Sequence, residues 1–133
     1  TQTLTTSTNT ALNLTTATVD DEGWHSLSRI TPGSEVTVVT IGINIRWQAH
    51  STGYRQNWVG LNGTGAGFGH MRPQGIQAAS SNDMELNWWT PPIRVATPGT
   101  DYYQSIAWHN KGINLNVYMG VQSWLSVISM EEA

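Results

Sequence analysis

An antiparallel all-β sandwich of two sheets, of the jelly-roll type and with eight to ten short strands, is the architecture expected of these 133 residues. Three observations lead to it. One twelve-residue stretch alternates apolar and polar side chains with period two. Turn signals built from Gly, Pro, Asn and Asp recur at short intervals, and no window longer than one turn carries the 3.6-residue periodicity of an amphipathic helix. Only 11% of residues are charged, against roughly 25% in ordinary soluble domains, so Thr, Ser, Asn and Gln must carry the surface, as they do on β-proteins.

Residues 1–19 are mostly Thr, Ser and Asn with Leu4, Ala11, Leu12 and Leu14 interspersed, and read as an extended N-terminal arm or an edge strand that a partner can use as an anchor. Residues 20–133 form the sandwich domain. A turn at Asp20, Asp21, Glu22 and Gly23 leads into a short strand over 24–30, which Pro32-Gly33 stops. Residues 39–50 carry the long half-buried strand. Val39, Ile41, Ile43, Ile45, Trp47 and Ala49 face the core, and Thr40, Gly42, Asn44, Arg46, Gln48 and His50 face water or a neighbouring subunit. Val36 and Val38 fall out of that phase, which places a bulge near Val38. A strand over 54–61 ends at Asn62-Gly63, a hairpin signal, and the glycine-rich stretch 63–75 reads as a loop or irregular strand. Residues 84–89 form a strand halted by Pro91-Pro92 and resumed over 93–95, and strands over 102–108, 113–119 and 124–130 close the fold as a meander.

Several function classes are disfavoured by composition. A formal charge of -3, a pI near 5.7 and six scattered Lys and Arg residues provide no basic field for phosphates, so no nucleic-acid partner is expected. The absence of cysteine removes disulfides, thiolate nucleophiles and cysteine-based zinc sites, which leaves stability to the core or to oligomerisation. No apolar run approaches the roughly 18 residues that span a bilayer, and no membrane partner is expected. No signal-peptide core opens the sequence and it does not begin with Met, which reads as a processed or excised chain.

No constellation with catalytic spacing emerges, so no catalytic residue, metal ligand or cofactor is assigned. Asp20, Asp21 and Glu22 are adjacent acids on one turn, whose side chains point apart into water. Asp83 and Glu85 lie two apart on a strand and share a face, an arrangement for a cation or a sugar, or simply a solvated strand face. His25, His50, His70 and His109 show none of the spacings that place two imidazoles on one metal. There is no GxSxG nucleophile elbow, and the GTGAGFG stretch from Gly63 opens no helix to cradle a phosphate. Seven tryptophans are the main clue, since such side chains are costly to leave in water unless they fill a core or a contact surface. Trp58, Trp88, Trp89, Tyr102 and Tyr103 are the candidates for a glycan platform or a subunit contact. Adjacent aromatics on a strand face opposite ways, so one of each pair enters the core. Asn13-Leu14-Thr15 and Asn62-Gly63-Thr64 match the glycosylation pattern, which arises often by chance in Thr-rich sequence.

Three segments together resemble a known group: DDEGWHS with RITPG at residues 20–33, HSTGYRQNWVGLNGTG at 50–65 and TPGTDYYQSIAWHNKGINLNV at 97–117. They resemble the C1q/TNF-like jelly-roll modules of tailed-bacteriophage structural proteins, over about residues 12–128. The sequence departs from that pattern at Ser34-Glu35-Val36, at Gly99-Thr100-Asp101 and around Trp88 to Pro92. The resemblance implies a homotrimer on the virion surface, a non-catalytic structural protein that decorates or reinforces a capsid, or forms a head fibre or tail-fibre tip, with major capsid or fibre proteins as partners. The alternative is a lectin-like receptor-binding module that engages a host-surface glycan.

Overall fold

The computed structural model describes residues 1–17, 20–51, 54–63 and 82–130. They form two antiparallel sheets packed as a jelly-roll-like sandwich, with β1 (Gln2–Leu4), β2 (Thr10–Ala11), β3 (His25–Ser26), β4 (Arg29–Ile30), β5 (Val38–Trp47), β6 (Arg55–Leu61), β7 (Met84–Trp89), β8 (Ile93–Arg94), β9 (Tyr103–His109), β10 (Leu115–Tyr118) and β11 (Trp124–Ser129). The six-stranded sheet is organised on β5: β10 and β11 follow one another along one of its edges, β7 and β8 along the other, and β1 pairs with β10. The five-stranded sheet is organised on β9, with β6 on one side and β2 and β4 on the other, β3 lying outside β4.

The expected alternation in the long strand sets the core. Val39, Ile41, Ile43, Ile45 and Trp47 are all buried and face the other sheet. The first three belong to one apolar cluster with Val36, Val59, Ile93, Val95 and Tyr103, and Ile45 and Trp47 belong to a second with Leu4, Leu12, Leu86, Ala107, Leu115 and Val117. Strand β5 ends at Trp47, so Ala49 and His50 lie beyond it.

The bulge expected near Val38 lies instead across the ladder. Gly42 faces Trp89 and Val39 faces Ile93, so two residues of β5 oppose the three residues Thr90, Pro91 and Pro92. β7 and β8 are thus one strand interrupted by a proline bulge. The prolines bring no N–H to the ladder, and Thr90 replaces what is lost. Its N–H donates to Ile41 O at 2.8 Å, its hydroxyl accepts from Ile41 N–H at 2.9 Å, and the Thr40 hydroxyl donates to Thr90 O at 2.8 Å.

The Thr-rich opening segment is edge strand in both sheets. Gln2, Thr3 and Leu4 pair with Val117, Asn116 and Leu115, while Thr10 and Ala11 pair with Ala107 and Ile106. Leu4 and Leu12 are the anchors of this segment in the second cluster. The 24–30 stretch is a tight hairpin, β3 to β4, with Leu27 at φ 55° in its turn. The strand expected directly after Asn62-Gly63, and the glycine-rich stretch beyond Gly63, fall at residues 64–81, outside the described residues. What is described is that β6 pairs with β9 along its length, and that Asn62, at φ 56°, ties the two together: its amide donates to Asp101 Oδ1 at 3.0 Å and its Oδ1 accepts from Tyr102 N–H at 2.9 Å.

Polar groups are also built into the interior of the five-stranded sheet. Asn57 donates to Ser105 Oγ at 3.0 Å and to Ile106 O at 2.7 Å. At one end of the sandwich the buried Arg55 guanidinium donates to Gln48 O at 2.8 Å and His50 O at 3.2 Å, closing the loop after β5. Beside it His109 is fully buried, edge-on to Trp47 with ring centroids 5.9 Å apart. Its Nε2 lies 2.9 Å from Leu4 O and its Nδ1 accepts from Lys111 N–H at 3.2 Å, a pair of partners that selects the neutral ring with its proton on Nε2. Burial pushes the His109 pKa down, and the positive charges of Lys111 and Arg55 push the same way, against the hydrogen bond to Leu4.

Two outcomes follow. Thr90→Val keeps the shape but leaves Ile41 N–H buried without a partner, and it is expected to lower stability by about 1–3 kcal/mol in denaturant titrations. Unfolding returns His109 to its ordinary value of 6.5. The unfolded chain therefore takes up a proton that the native ring refuses. The stability tied to the neutral ring is fully present above that pH and is lost as pH falls toward the lowered native value. The denaturation midpoint should drop between about pH 7.5 and about pH 5.5, and His109→Gln, which keeps a donor for Leu4 O, should shrink that drop.

Candidate functional site

The outer face of the six-stranded sheet carries an aromatic and aliphatic stripe. In β5 the residues opposite to the core-facing set are Thr40, Gly42, Asn44 and Arg46, and their cross-strand neighbours share that face. Gly42 lies between Trp89 and Ser126, Asn44 between Asn87 and Trp124, and Arg46 between Glu85 and Tyr118. A β-carbon at Gly42 would come within 2.5 Å of the Trp89 indole, so the ring occupies the space that any side chain would need. Trp89 reaches across this gap to Trp124, with ring centroids 6.0 Å apart and planes tilted by 52°. Ile128 on β11 and Met130, one residue beyond its end, continue the stripe along the same face. Trp89, Ile128 and Met130 retain 43%, 47% and 42% of their exposure, far more than a packed apolar side chain keeps.

Beside the indole pair is a run of amides. Asn87 donates to Asn44 Oδ1 at 3.2 Å, and Asn44 donates to Gln122 O at 2.8 Å, in the 3-10 turn Gly120–Gln122 that leads into β11. Asp83 and Glu85 do share a flank, as their spacing requires, but Arg46 sits between them at 3.9 Å and 3.3 Å and supplies the positive charge that a cation would bring. Asp83 is further held as the acceptor of Ala49 N–H at 2.8 Å. Among the described residues no group of three or more His, Asp or Glu side chains is placed to hold a metal ion. His25 bonds Leu14 O and His109 bonds Leu4 O, each in its own part of the sandwich, and His70 lies outside the described residues.

The five aromatic candidates are distributed by strand alternation. Trp88 turns inward and packs against the first core cluster, while Trp89 turns outward. Tyr103 turns inward and is buried; burial, then the Asp101 charge, push its pKa up to about 12, and it remains a neutral phenol. Tyr102 turns outward, but the Arg29 guanidinium covers one face of its ring at 4.1 Å. Trp58 is buried beside Ile106 on the outer face of the five-stranded sheet. Trp58 and Tyr103 are thus both packed within the single chain, with almost no ring surface exposed. The structure brings Trp89 together with Trp124, which was not among the candidates. Gly42, alone in an otherwise side-chain-rich strand, is the signal in the sequence for such a close approach.

Comparison with protein-family models, with curated proteins and with solved structures gives no match for this chain.

Gly42→Ala is expected to force the Trp89 indole off β5, lowering stability by about 1–3 kcal/mol and removing the near-ultraviolet circular dichroism that the coupled Trp89–Trp124 pair produces.

Proposed function

We propose that this chain is a non-catalytic structural module of a larger particle, a homotrimer that uses the outer stripe of the six-stranded sheet as its subunit contact. The observation that carries this reading is the stripe itself. Trp89, Trp124, Ile128 and Met130 line one face of a 14.6 kDa domain with no cysteine, the kind of domain that gains stability by burying aromatic and aliphatic surface against another copy. The resemblance of the 20–33, 50–65 and 97–117 segments to tailed-phage jelly-roll modules supports a place on a virion surface, as capsid decoration, head fibre or tail-fibre tip, beside capsid or fibre proteins. A two-sheet sandwich is the architecture such modules share.

A second reading rests on a separate observation, the amides of Asn44 and Asn87 beside the exposed Trp89 ring. An indole face stacks on the apolar face of a sugar while amides bond its hydroxyls. In that reading the module is a lectin-like attachment domain.

Light scattering in dilute solution separates the two. The structural reading expects three times the mass of one 14.6 kDa chain, with a thermal midpoint that rises with protein concentration. Ile128→Asp should weaken assembly by about thirtyfold or more without unfolding the chain, as loss of a central contact residue does. A monomer at all concentrations overturns it. The lectin reading expects glycan-array binding that Trp89→Ala abolishes at unchanged mass.

A further inference from the structure

The two lateral edges of the six-stranded sheet are built differently. A sheet edge with free N–H and C=O groups is a template for another strand, and proteins that must stay alone blunt it with charge, proline, bulges or short length. The β7–β8 edge has all of these: Asp83, Glu85 and Arg94, Pro91 and Pro92, the three-against-two bulge, and a β8 of two residues. The β11 edge has none. Its six residues, WLSVIS, carry no charge and no proline, and among the described residues β11 pairs only with β5.

The register says which groups face outward. Met130 N–H donates to Val38 O at 2.9 Å, which makes Trp124, Ser126 and Ile128 the positions hydrogen-bonded to β5. The peptide groups of Leu125, Val127 and Ser129 therefore point away from the sheet. Their side-chain phase matters too, because Leu125 and Val127 face inward and pack against the first core cluster. Among the described residues the sandwich does not close here. A cleft of about 830 Å3 opens between β11 and the β3–β4 hairpin, with an apolar floor of Leu14, Trp24, Ile30, Met119, Leu125 and Val127. Asp20, Asp21 and Glu22 stand on its rim, the loop fixed by Trp24 N–H donating to Asp20 Oδ1 at 2.8 Å.

We propose that this cleft receives an extended segment of another protein, which adds to β11 as a strand, sets alternate small apolar side chains on the cleft floor, and carries Lys or Arg where it passes Asp20 to Glu22. The backbone groups of Leu125, Val127 and Ser129 supply the main-chain bonds, the floor supplies the pockets, and the acidic rim supplies the charge preference. The other open edges of this sheet do not fit that description. β1 has three uncharged residues, β7 contains Glu85 and follows Asp83, and β8 has two residues behind prolines. β11 itself brings no cation. The occupant is therefore a foreign basic strand rather than a second copy. This holds whether or not the outer stripe assembles the chain, since it concerns the edge of the sheet and not its face.

The test uses the full chain and two blocked synthetic peptides of alternating valine and threonine, one ending in two lysines and the other in two glutamates. Titration calorimetry should show binding of the lysine peptide, and hydrogen exchange at Leu125, Val127 and Ser129 should slow when it is bound. The glutamate peptide, and the lysine peptide against Asp21→Asn/Glu22→Gln, should each bind about fivefold more weakly or worse at low salt. Val127→Pro, which loses an N–H that β5 does not use, should fold and fail to bind. No binding by either peptide overturns the proposal. So does equal affinity of the two, or binding that leaves those three amides exchanging as before. Protection of the same amides in the free chain, rising with its own concentration, overturns it in favour of a second copy. Loss of trimer mass with peptide binding intact would remove the subunit contact and leave this proposal standing.

Discussion

Everything in the sandwich is arranged around the requirement that β5 be paired on both edges while its odd-numbered side chains stay dry. Ten residues long, it reaches from one core cluster to the other, and no single neighbour covers it. Two strands share each edge instead. That sharing is what forces the junctions: the proline bulge with its threonine substitute on one side, and on the other the turn at Gly120–Gln122, where the Ser123 hydroxyl accepts from Arg46 N–H. A one-residue slip anywhere along β5 would exchange isoleucines for Gly42, Asn44 and Arg46 in the core.

The two outer faces differ. On the outer face of the five-stranded sheet Trp58 and Ile106 are buried. On the six-stranded sheet the Trp89 indole lies over Gly42 and beside Trp124, with part of its surface left to solvent. A chain with so few charges has little long-range electrostatic steering, and short-range fit at such surfaces carries its recognition.

The sequence made the sheet architecture legible because period-two alternation is a local property. The inward set from Val39 to Trp47, the strand Met84–Trp89 and the opposite facing of Trp88 and Trp89 follow from spacing alone. What depends on register between distant strands was not legible. Val36 and Val38 point to an irregularity near the start of β5, but only the pairing shows that the extra residue belongs to the strand facing it. The fates of Trp58 and Trp124 were hidden for the same reason. A tryptophan in an alternating strand announces its face, while its neighbours on that face belong to strands tens of positions away, Ile106 for Trp58 and Trp89 for Trp124. Asn62 reads as a turn residue, and its bonds to Asp101 and Tyr102 depend on a segment about forty residues later.

The pairing of Gln2, Thr3 and Leu4 with Val117, Asn116 and Leu115 has a consequence for the order in which the molecule comes into being. On a ribosome adding about 5–20 residues per second, the first strand waits on the order of ten seconds for the partner that completes it. Its hydroxyl-rich composition keeps it harmless in that interval, since Thr and Ser give a nascent segment little reason to aggregate. Leu4, whose carbonyl His109 finally captures, is then among the last groups to lose contact with water.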